Sequence, residues 1–507
     1  MLPLIIAIPL IAAIALFRVP SESKNWIRNI SIGASGLVLL LALGVFLGFD
    51  SSNPAMQFVH ECSWVSILNI KFQLGVDGVS VLMVLLTALL SCASIFYYLT
   101  STKNVSIAFL ALMLVLEAGT LGVFMALDTV LFYVFWEVML IPAYFLIGIW
   151  GEGNRIYATT KFVLYTLVGS LLMLVAIIGV TIVHYEATHI LTFDIQTLIH
   201  TDIPKEDQIW MFVCFFLAFA IKVPIFPFHS WLPHAYGSCP IPALVVLTGA
   251  MSKTGAYGLI RFCLPLFPEA VEIMGFVIAG MAVTGMVYGA WIAIAQTDIK
   301  SLVAYSSISH LGFIVLGIFA LNGEGLEGSV LQMFNHGIIA AALFFIVDII
   351  EKKIGSRDLA QMRGLKGKMP ALYGIFMLVT MAALGLPGLN GFVGEFLILV
   401  GVWTSSSMSG LGAIYVLMGG LTITFAAIYM LFFFQGAMQE QNEKLPADLN
   451  DIDRNHYALL IPACVLIVFI GLFPKPFVDK ISPSAEYILT VEKTVKTSSG
   501  SDSSDHH

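Results

Sequence analysis

The chain has 507 residues, of which 59% are hydrophobic and only 11% are charged, and its formal net charge at pH 7 is −8. A soluble domain carries about 25% charged residues, so this composition excludes an ordinary soluble enzyme. The chain also lacks a basic patch interleaved with aromatic residues, which excludes nucleic acid as a partner. Apolar blocks such as VSVLMVLLTALLSCASIFYYL can cross about 30 Å of hydrocarbon as helices. The sequence therefore predicts an all-α polytopic protein of the lipid bilayer.

The apolar blocks, separated at charged or Gly-, Pro- and Asn-rich breaks, predict about fourteen spanning helices. The N-terminal block has no positive leading region and no small-residue cleavage site, so we interpret it as the first membrane helix. Lys and Arg are more frequent in the loops on one side, which we expect to be cytoplasmic, with both termini on the opposite side. The predicted spans are 2–18, 29–49, 78–99, 106–126, 129–150, 161–183, 209–231, 241–262, 272–295, 300–321, 329–351, 370–403, 410–434 and 457–474.

Two of the predicted helices, the seventh and the twelfth, contain sequences that break a helix. The seventh contains AIKVPIFPFH, where Pro224 disfavours a continued helix at Lys222. The twelfth contains LGLPGLNGFVGE, with Pro387 just before Glu395. Paired interrupted helices indicate the ion pathway in many transporters, so the sequence predicts two related halves, each with one break.

This repetition gives a predicted division of the chain. The ranges are 1–105 for helices 1–3, 106–262 for the first repeat (helices 4–8), 263–435 for the second repeat (helices 9–13), 436–480 for a loop and helix 14, and 481–507 for a polar C-terminal tail.

Ionisable residues inside apolar blocks are the strongest functional signal. A charged side chain at the centre of a membrane helix costs from about 2.5 kcal/mol upward, so such residues usually serve a function. Of the basic residues, only Lys222 and Lys253 are predicted to lie away from helix ends. The candidate set consists of Glu137, Lys222, Lys253, His310, His336 and Glu395.

These residue types suit the transfer of protons through the bilayer. A buried carboxylate or ammonium group exchanges its proton more readily near neutral pH because burial disfavours its charged form. A nearby opposite charge reverses this effect, so a Glu137–Lys222 pair is expected to act as a switch. Histidine can relay a proton in either direction because its ordinary pKa is about 6.5.

Simpler and competing roles are also open to the same residues. A single membrane Lys or Glu can be a structural ion pair, and His336 can be a structural hydrogen-bonding residue. Haem ligation would need a second pair of facing histidines, and no nucleotide-binding or Cys-x-x-Cys motif is present. Asp77 and Asp128 are expected to cap helices. No cofactor or metal site is predicted in this chain.

At these motifs the chain resembles the antiporter-like subunits of respiratory complex I, and within them the subunit M type. The matching stretches are LGVDGVSVLMVLLT, VFWEVMLIPAYFLIGIWG, KVPIFPFHSWLP, SKTGAYGLIRF, AYSSISHLGF and GLPGLNGFVGEFLIL. The resemblance implies a fourteen-helix fold with two inverted five-helix repeats and interrupted helices 7 and 12. It also implies a multi-pass protein of a bacterial inner membrane, with its termini on the periplasmic side.

The resemblance carries roles to individual residues. It implies that Glu137 and Lys222 are the essential pair of helices 5 and 7, that Lys253 is the helix-8 lysine, and that Glu395 ends the helix-12 site. His310 and His336 match the histidines that extend this polar axis. Partner subunits of the L and N types are implied, with NADH, FMN, iron–sulfur clusters and quinone expected in partner subunits.

One loop departs from the family pattern, and two other functions remain open. After HSWLP the family usually continues Asp-Ala-His-x-Glu-Ala-Pro-Thr, whereas this chain reads from His234 to Ile241 as HAYGSCPI. We therefore assign no role to His234 or Tyr236 from the resemblance. The alternatives are a cation/proton antiporter subunit of an Mrp-type assembly and a membrane subunit of a related hydrogenase complex.

Overall fold

The computed structural model describes residues 1–20, 22–408, 410–439 and 449–501, with side chains as far as residue 491. The first elements are two helices, a β-hairpin and four further helices. They are α1 (Leu2–Leu16), α2 (Lys24–Gly48), β1 (Gln57–Val65), β2 (Ile70–Val76), α3 (Gly78–Ser101), α4 (Ile107–Met125), α5 (Thr129–Trp150) and α6 (Arg155–Thr188).

Helices also form the rest of the described chain. They are α7 (Ile195–Leu198), α8 (Lys205–Lys222), α9 (Leu232–Ser238), α10 (Ile241–Leu266), α11 (Pro268–Ile294), α12 (Ile299–Ile318), α13 (Gly323–Ile354), α14 (Leu359–Met362), α15 (Pro370–Ala383), α16 (Asn390–Thr404), α17 (Gly412–Met438), α18 (Arg454–Leu472) and α19 (Lys475–Ser501).

Among the described residues, 11 helices are long and apolar enough to cross a membrane, and α1, α15 and α16 are shorter apolar helices. The prediction of an α-helical membrane protein is confirmed, whereas the count of about fourteen spans stays a prediction. In the most apolar 18-residue stretch of each helix, 100% of the residues are buried in α10 and 94% in α13, whereas 28% are buried in α18. Helices α10 and α13 therefore form the centre of the molecule, which is where Lys253 and His336 lie.

The first predicted helix break is present between α8 and α9. Helix α8 ends at Lys222, and Pro224 follows two residues later. The break leaves backbone carbonyls without helical partners, which must be satisfied within the protein in a membrane. The indole N–H of Trp231 donates to the carbonyl oxygen of Ile221 at 2.8 Å. The chain thus stabilises the broken end with a side chain that lies just beyond the break.

The second predicted break is present between α15 and α16. Gly385 and Gly388 adopt φ values of 75° and 91°, a region that side chains with a Cβ rarely enter. At Gly385 an added Cβ would also lie 2.7 Å from Glu395 Oε2. Glycine is therefore needed here both for the turn and for the approach of the Glu395 carboxylate to the backbone.

Helix α10 contains two wider turns of π-helix, at Leu247–Met251 and Leu259–Cys263. In the first of them the Ser252 N–H donates to the carbonyl oxygen of Leu247 at 3.0 Å, five residues back. Such π turns occur often at functional sites. This one directly precedes Lys253.

The hairpin β1–β2 and helix α19 are among the elements that were not predicted from the sequence. Residues 57–76 form the antiparallel hairpin β1–β2. Helix α19 occupies 475–501, so the polar tail expected from 481 is wrong at its start. Ile481, Ser484 and Ala485 are buried, because one face of this amphipathic helix packs on α3. An added Cβ at Gly78 would lie 1.8 Å from the carbonyl oxygen of Lys480, so α3 and α19 pack closely at this glycine.

The final residues His506 and His507 lie outside the described residues.

Two further basic residues are buried, although both lie at the ends of predicted spans, where we expected them to face the interface. Arg261 is 6% exposed and Lys300 is 2% exposed. Lys300 donates to the carbonyl oxygen of Cys239 at 2.7 Å, and Arg261 pairs with Asp77 at 2.5 Å. Both residues lie near helix ends, where a sequence cannot distinguish a charge at the interface from one covered by a neighbouring segment.

Candidate functional site

The six candidate residues lie on six different helices. Glu137 is on α5, Lys222 ends α8, Lys253 is on α10, His310 is on α12, His336 is on α13 and Glu395 is on α16. All except Glu137 are buried, with exposures of 2% for Lys222, 0% for Lys253, 8% for His310, 4% for His336 and 2% for Glu395.

Lys253 and His336 are in direct contact at the centre of the molecule. Lys253 Nζ lies 2.7 Å from His336 Nδ1. The same Nζ donates to the carbonyl oxygen of Thr248 at 2.5 Å and to Ser252 Oγ at 3.3 Å. Because the π turn positions the Thr248 carbonyl beside Lys253, the ammonium form has oxygen acceptors even without a carboxylate. A single proton can be shared between the lysine and the imidazole.

His310 and Glu395 form the second buried contact. His310 Nδ1 lies 3.1 Å from Glu395 Oε1. The centroids of the His310 and His336 rings are 5.6 Å apart at an interplanar angle of 45°, so the two contacts are adjacent. The structure thus brings Lys253, His336, His310 and Glu395 into one series.

Amide side chains support the Glu395 end of this series. Gln332 Nε2 donates to Glu395 Oε1 at 3.4 Å. Asn335 Nδ2 donates to the carbonyl oxygen of Asn390 at 2.8 Å, and Asn390 Nδ2 donates to Asn335 Oδ1 at 3.2 Å. Sequence reasoning missed these residues, because an amide in an apolar block carries no charge signal. The hydrogen bonds between Asn335 and Asn390 join α13 to the start of α16, just before Glu395.

Lys222 lies among aromatic rings. Its Nζ is 5.2 Å from the centroid of the Trp136 ring and 5.8 Å from that of Phe162. This Nζ is buried and has no hydrogen-bond partner among the described residues. A cation–π contact stabilises an ammonium by about 2 kcal/mol when it is desolvated, which is less than the penalty for burying the charge.

Glu137 and Lys222 do not form an ion pair within 4.0 Å in the part of the chain that the structure describes. Glu137 is only half-buried, on the face of α5 that also exposes Ile141 and Phe145. The predicted pair is therefore placed on neighbouring helices but is open in this structure.

A fully buried carboxyl group on α4 was not among the candidates. Glu117 is 0% exposed, and neither of its oxygens has a hydrogen-bond partner among the described residues. Glu117 lies in the interior of α4, away from both helix ends.

Asp77 is more than the predicted cap. It does cap α3, since its Oδ1 accepts from the N–H groups of Val79 and Ser80. Its Oδ2 also accepts from Arg261 Nη2 at 2.5 Å, and both partners are buried. Asp128 likewise caps α5 as predicted. A buried, closely paired Asp–Arg contact satisfies both charges, so its role is structural.

Chemically, the central series is a row of groups that can each gain or lose a proton. Neighbouring members are near enough to pass it by small movements. The described residues contain no group of three or more His, Cys, Asp or Glu side chains that could hold a metal ion.

Comparisons with known proteins agree with this architecture. Residues 126–446 match the protein family described as NADH:quinone oxidoreductase/Mrp antiporter, transmembrane. The chain is 38% identical over 514 aligned residues to NADH-quinone oxidoreductase subunit M of Rhodobacter capsulatus, with 96% of each chain covered.

Two solved structures share the fold. A chain of respiratory complex I from Thermus thermophilus with bound NADH has a TM-score of 0.87 and 30% identity, covering 97% of this chain and 100% of that one. A chain of the Mrp complex from a Dietzia species has a TM-score of 0.84 at 21% identity, covering 98% of each, which is a likeness of fold alone.

Proposed function

Since this chain belongs to the NADH:quinone oxidoreductase/Mrp antiporter family of membrane proteins, we propose that Glu137, Lys222, Lys253, His336, His310 and Glu395 are its proton relay. The chain is a proton-translocating membrane subunit of an NADH:quinone oxidoreductase. The observation that carries the relay is the buried series in which Lys253 contacts His336 and His310 contacts Glu395.

The relay runs by coupled changes of charge. When Glu137 is ionised and approaches Lys222, the ammonium form of Lys222 is stabilised. When this attraction is lost, Lys222 remains in aromatic surroundings that stabilise its charge poorly, and it releases a proton toward Lys253. The proton then passes His336 and His310 to Glu395. Energy enters as the electrostatic or conformational change that moves Glu137 relative to Lys222.

The exposure of Glu137 supports a protein partner at this point. A carboxylate on the surface of a membrane helix is costly against lipid. Glu137 is half-exposed on α5, although its Oε1 is buried without a hydrogen-bond partner among the described residues. Its partial exposure favours a neighbouring membrane subunit of the complex, of the antiporter-like L or N type, over the bilayer. Such a neighbour could shift the charge of Glu137 and thereby start the relay.

The redox groups are proposed to lie in partner subunits, and both termini of this chain are proposed to face the periplasm. NADH, FMN, iron–sulfur clusters and quinone are assigned to partner subunits, and this chain contributes proton movement. It is a multi-pass protein of a bacterial inner membrane. The excess of Lys and Arg on one side of the spans favours a cytoplasmic position for that side and a periplasmic position for both termini.

An Mrp-type antiporter subunit is the second candidate. The family that residues 126–446 match includes both NADH:quinone oxidoreductase and Mrp antiporter proteins, which supports it. The relative that is 38% identical over nearly the whole chain is an NADH-quinone oxidoreductase subunit, and this favours the oxidoreductase.

Proton pumping by the purified complex in vesicles tests the relay. We expect Glu137→Gln and Lys222→Ala to abolish pumping driven by NADH oxidation while the complex still assembles. The matched controls are Glu186→Gln and Lys24→Ala, which change exposed residues of the same types and should pump normally. A normal ratio of protons to electrons in Lys222→Ala would overturn the relay.

A further inference from the structure

A gap separates Lys222 from the central series. Lys222 Nζ has no hydrogen-bond partner in the part of the chain that the structure describes, and Lys253 Nζ instead donates to the Thr248 carbonyl oxygen and to Ser252 Oγ. A small cavity lined by residues of several helices adjoins Lys222 and Ser252, the residue before Lys253. Its lining is Phe162, Lys222, Trp231, Tyr236, Leu247, Met251 and Ser252.

The cavity has room for one water molecule. Its water-accessible volume is about 10 Å³, and a single water needs about 10–15 Å³ on this scale together with two to four polar partners. Lys222, Tyr236 and Ser252 supply polar groups in its wall. The Tyr236 hydroxyl and Thr248 Oγ1 have no hydrogen-bond partner among the described residues.

Tyr236 is buried beside this cavity, and two aromatic rings pack against it. It lies on α9, directly after the first helix break, and is 1% exposed. Its ring packs edge-on against Trp231 and Phe344, with centroids 6.3 and 6.2 Å away and interplanar angles of 81° in both cases. Its side chain lines the same cavity as Ser252. The side chain thus reaches from the break toward the turn that carries Lys253.

We propose that Tyr236 carries the proton between Lys222 and Lys253, through its hydroxyl and one water in the cavity. This inference rests on the proposed function of the relay. A tyrosine hydroxyl can donate and accept a hydrogen bond at once, so it can take a proton on one side while giving one on the other. The sequence has this tyrosine at the position where the family pattern has histidine.

The protons balance at each step. An N–H bond of the Lys222 ammonium breaks as the water takes its proton, and the water gives one of its own to the Tyr236 oxygen. Tyr236 passes its hydroxyl proton to Ser252 Oγ, and the Ser252 proton goes to the neutral amine of Lys253. Every hydroxyl ends with the number of protons it began with, and one positive charge has moved from Lys222 to Lys253.

Three variants of the full complex in vesicles test this assignment. Tyr236→Phe keeps the packed ring and removes the hydroxyl, and we expect the rate of NADH-driven proton pumping to fall about tenfold or more. Tyr236→His restores an exchangeable proton and should recover pumping. The rate should then change with pH around 6.5, near the ordinary pKa of histidine. Tyr415→Phe is the control, because the partly buried Tyr415 hydroxyl donates to the carbonyl oxygen of Phe276, outside the series.

The outcomes separate this inference from the function on which it rests. Normal pumping in Tyr236→Phe, together with lost pumping in Lys222→Ala, overturns the role of Tyr236 and leaves the relay standing. Normal pumping in Lys222→Ala overturns the relay itself. If Tyr236→Phe does not assemble, Tyr236→His decides alone: a new pH dependence supports the proposal, and an unchanged pH profile overturns it.

Discussion

The two ends of the relay are built differently. From Lys253 to Glu395, four buried side chains form two direct contacts of 2.7 and 3.1 Å. Amide side chains form further hydrogen bonds at the Glu395 end. Glu137 and Lys222 form no such contact, and Lys222 Nζ lies among aromatic rings without a hydrogen-bond partner in the described residues.

This difference suggests a division of labour between the two regions. A connected row of hydrogen-bonding groups moves protons with little rearrangement, because its members are already in place. A lysine with poor solvation and a movable carboxylate partner changes its proton affinity when that partner moves. The series from Lys253 to Glu395 therefore suits conduction, and the Glu137–Lys222 region suits the control of proton movement.

The largest expected effect in the conducting region comes from Lys253→Met. The variant removes the group that receives the proton and leaves His336 Nδ1 without its partner. We expect pumping to fall about 100-fold or more, measured as NADH-driven acidification of vesicles that contain the purified complex.

Lys300→Met is a matched control for this variant, because it also removes a buried lysine, and Lys300 bonds only a backbone carbonyl. It should lower thermal stability but keep pumping within about threefold, since leaving one buried group unpaired costs about 1–3 kcal/mol. Equal pumping losses in the two variants would mean that Lys253 serves the structure rather than the relay.

A smaller effect is expected from Gln332→Leu. Its amide donates to Glu395 at 3.4 Å, a long contact that helps to orient the carboxylate without carrying the proton. We expect pumping to fall about threefold, corresponding to the loss of a weak hydrogen bond. Gln296→Leu, which removes an amide that donates to the carbonyl oxygen of Ile292 near the end of α11, should have no effect. A loss as large as that of Lys253→Met would place Gln332 within the path itself.

Much of this arrangement could be predicted from the sequence because it depends on local chemistry. Pro224 and Pro387 mark the two breaks, and charged residues within apolar blocks mark the candidate groups. Arg261 and Lys300 show the limit of such reasoning, because burial near a helix end depends on segments that are distant in sequence.

The connections between candidates could not be predicted. Lys253 and His336 are 83 positions apart, and which faces of α10 and α13 meet is decided by packing. The open geometry of Glu137 and Lys222 was also not visible from residue types. Helix α19 did leave a signal: the apolar residues Phe477, Ile481, Ala485 and Ile488 recur at helical spacing.

Infrared difference spectroscopy of the complex on addition of NADH tests most directly whether the proton reaches Glu395 through Lys253. The band of the Glu395 carboxyl group is identified by its absence in Glu395→Gln. We predict that turnover changes this band in the wild type and that the change disappears in Lys253→Met. If the Glu395 band still changes in Lys253→Met, the proton reaches Glu395 by another route, and the connected series is not the path.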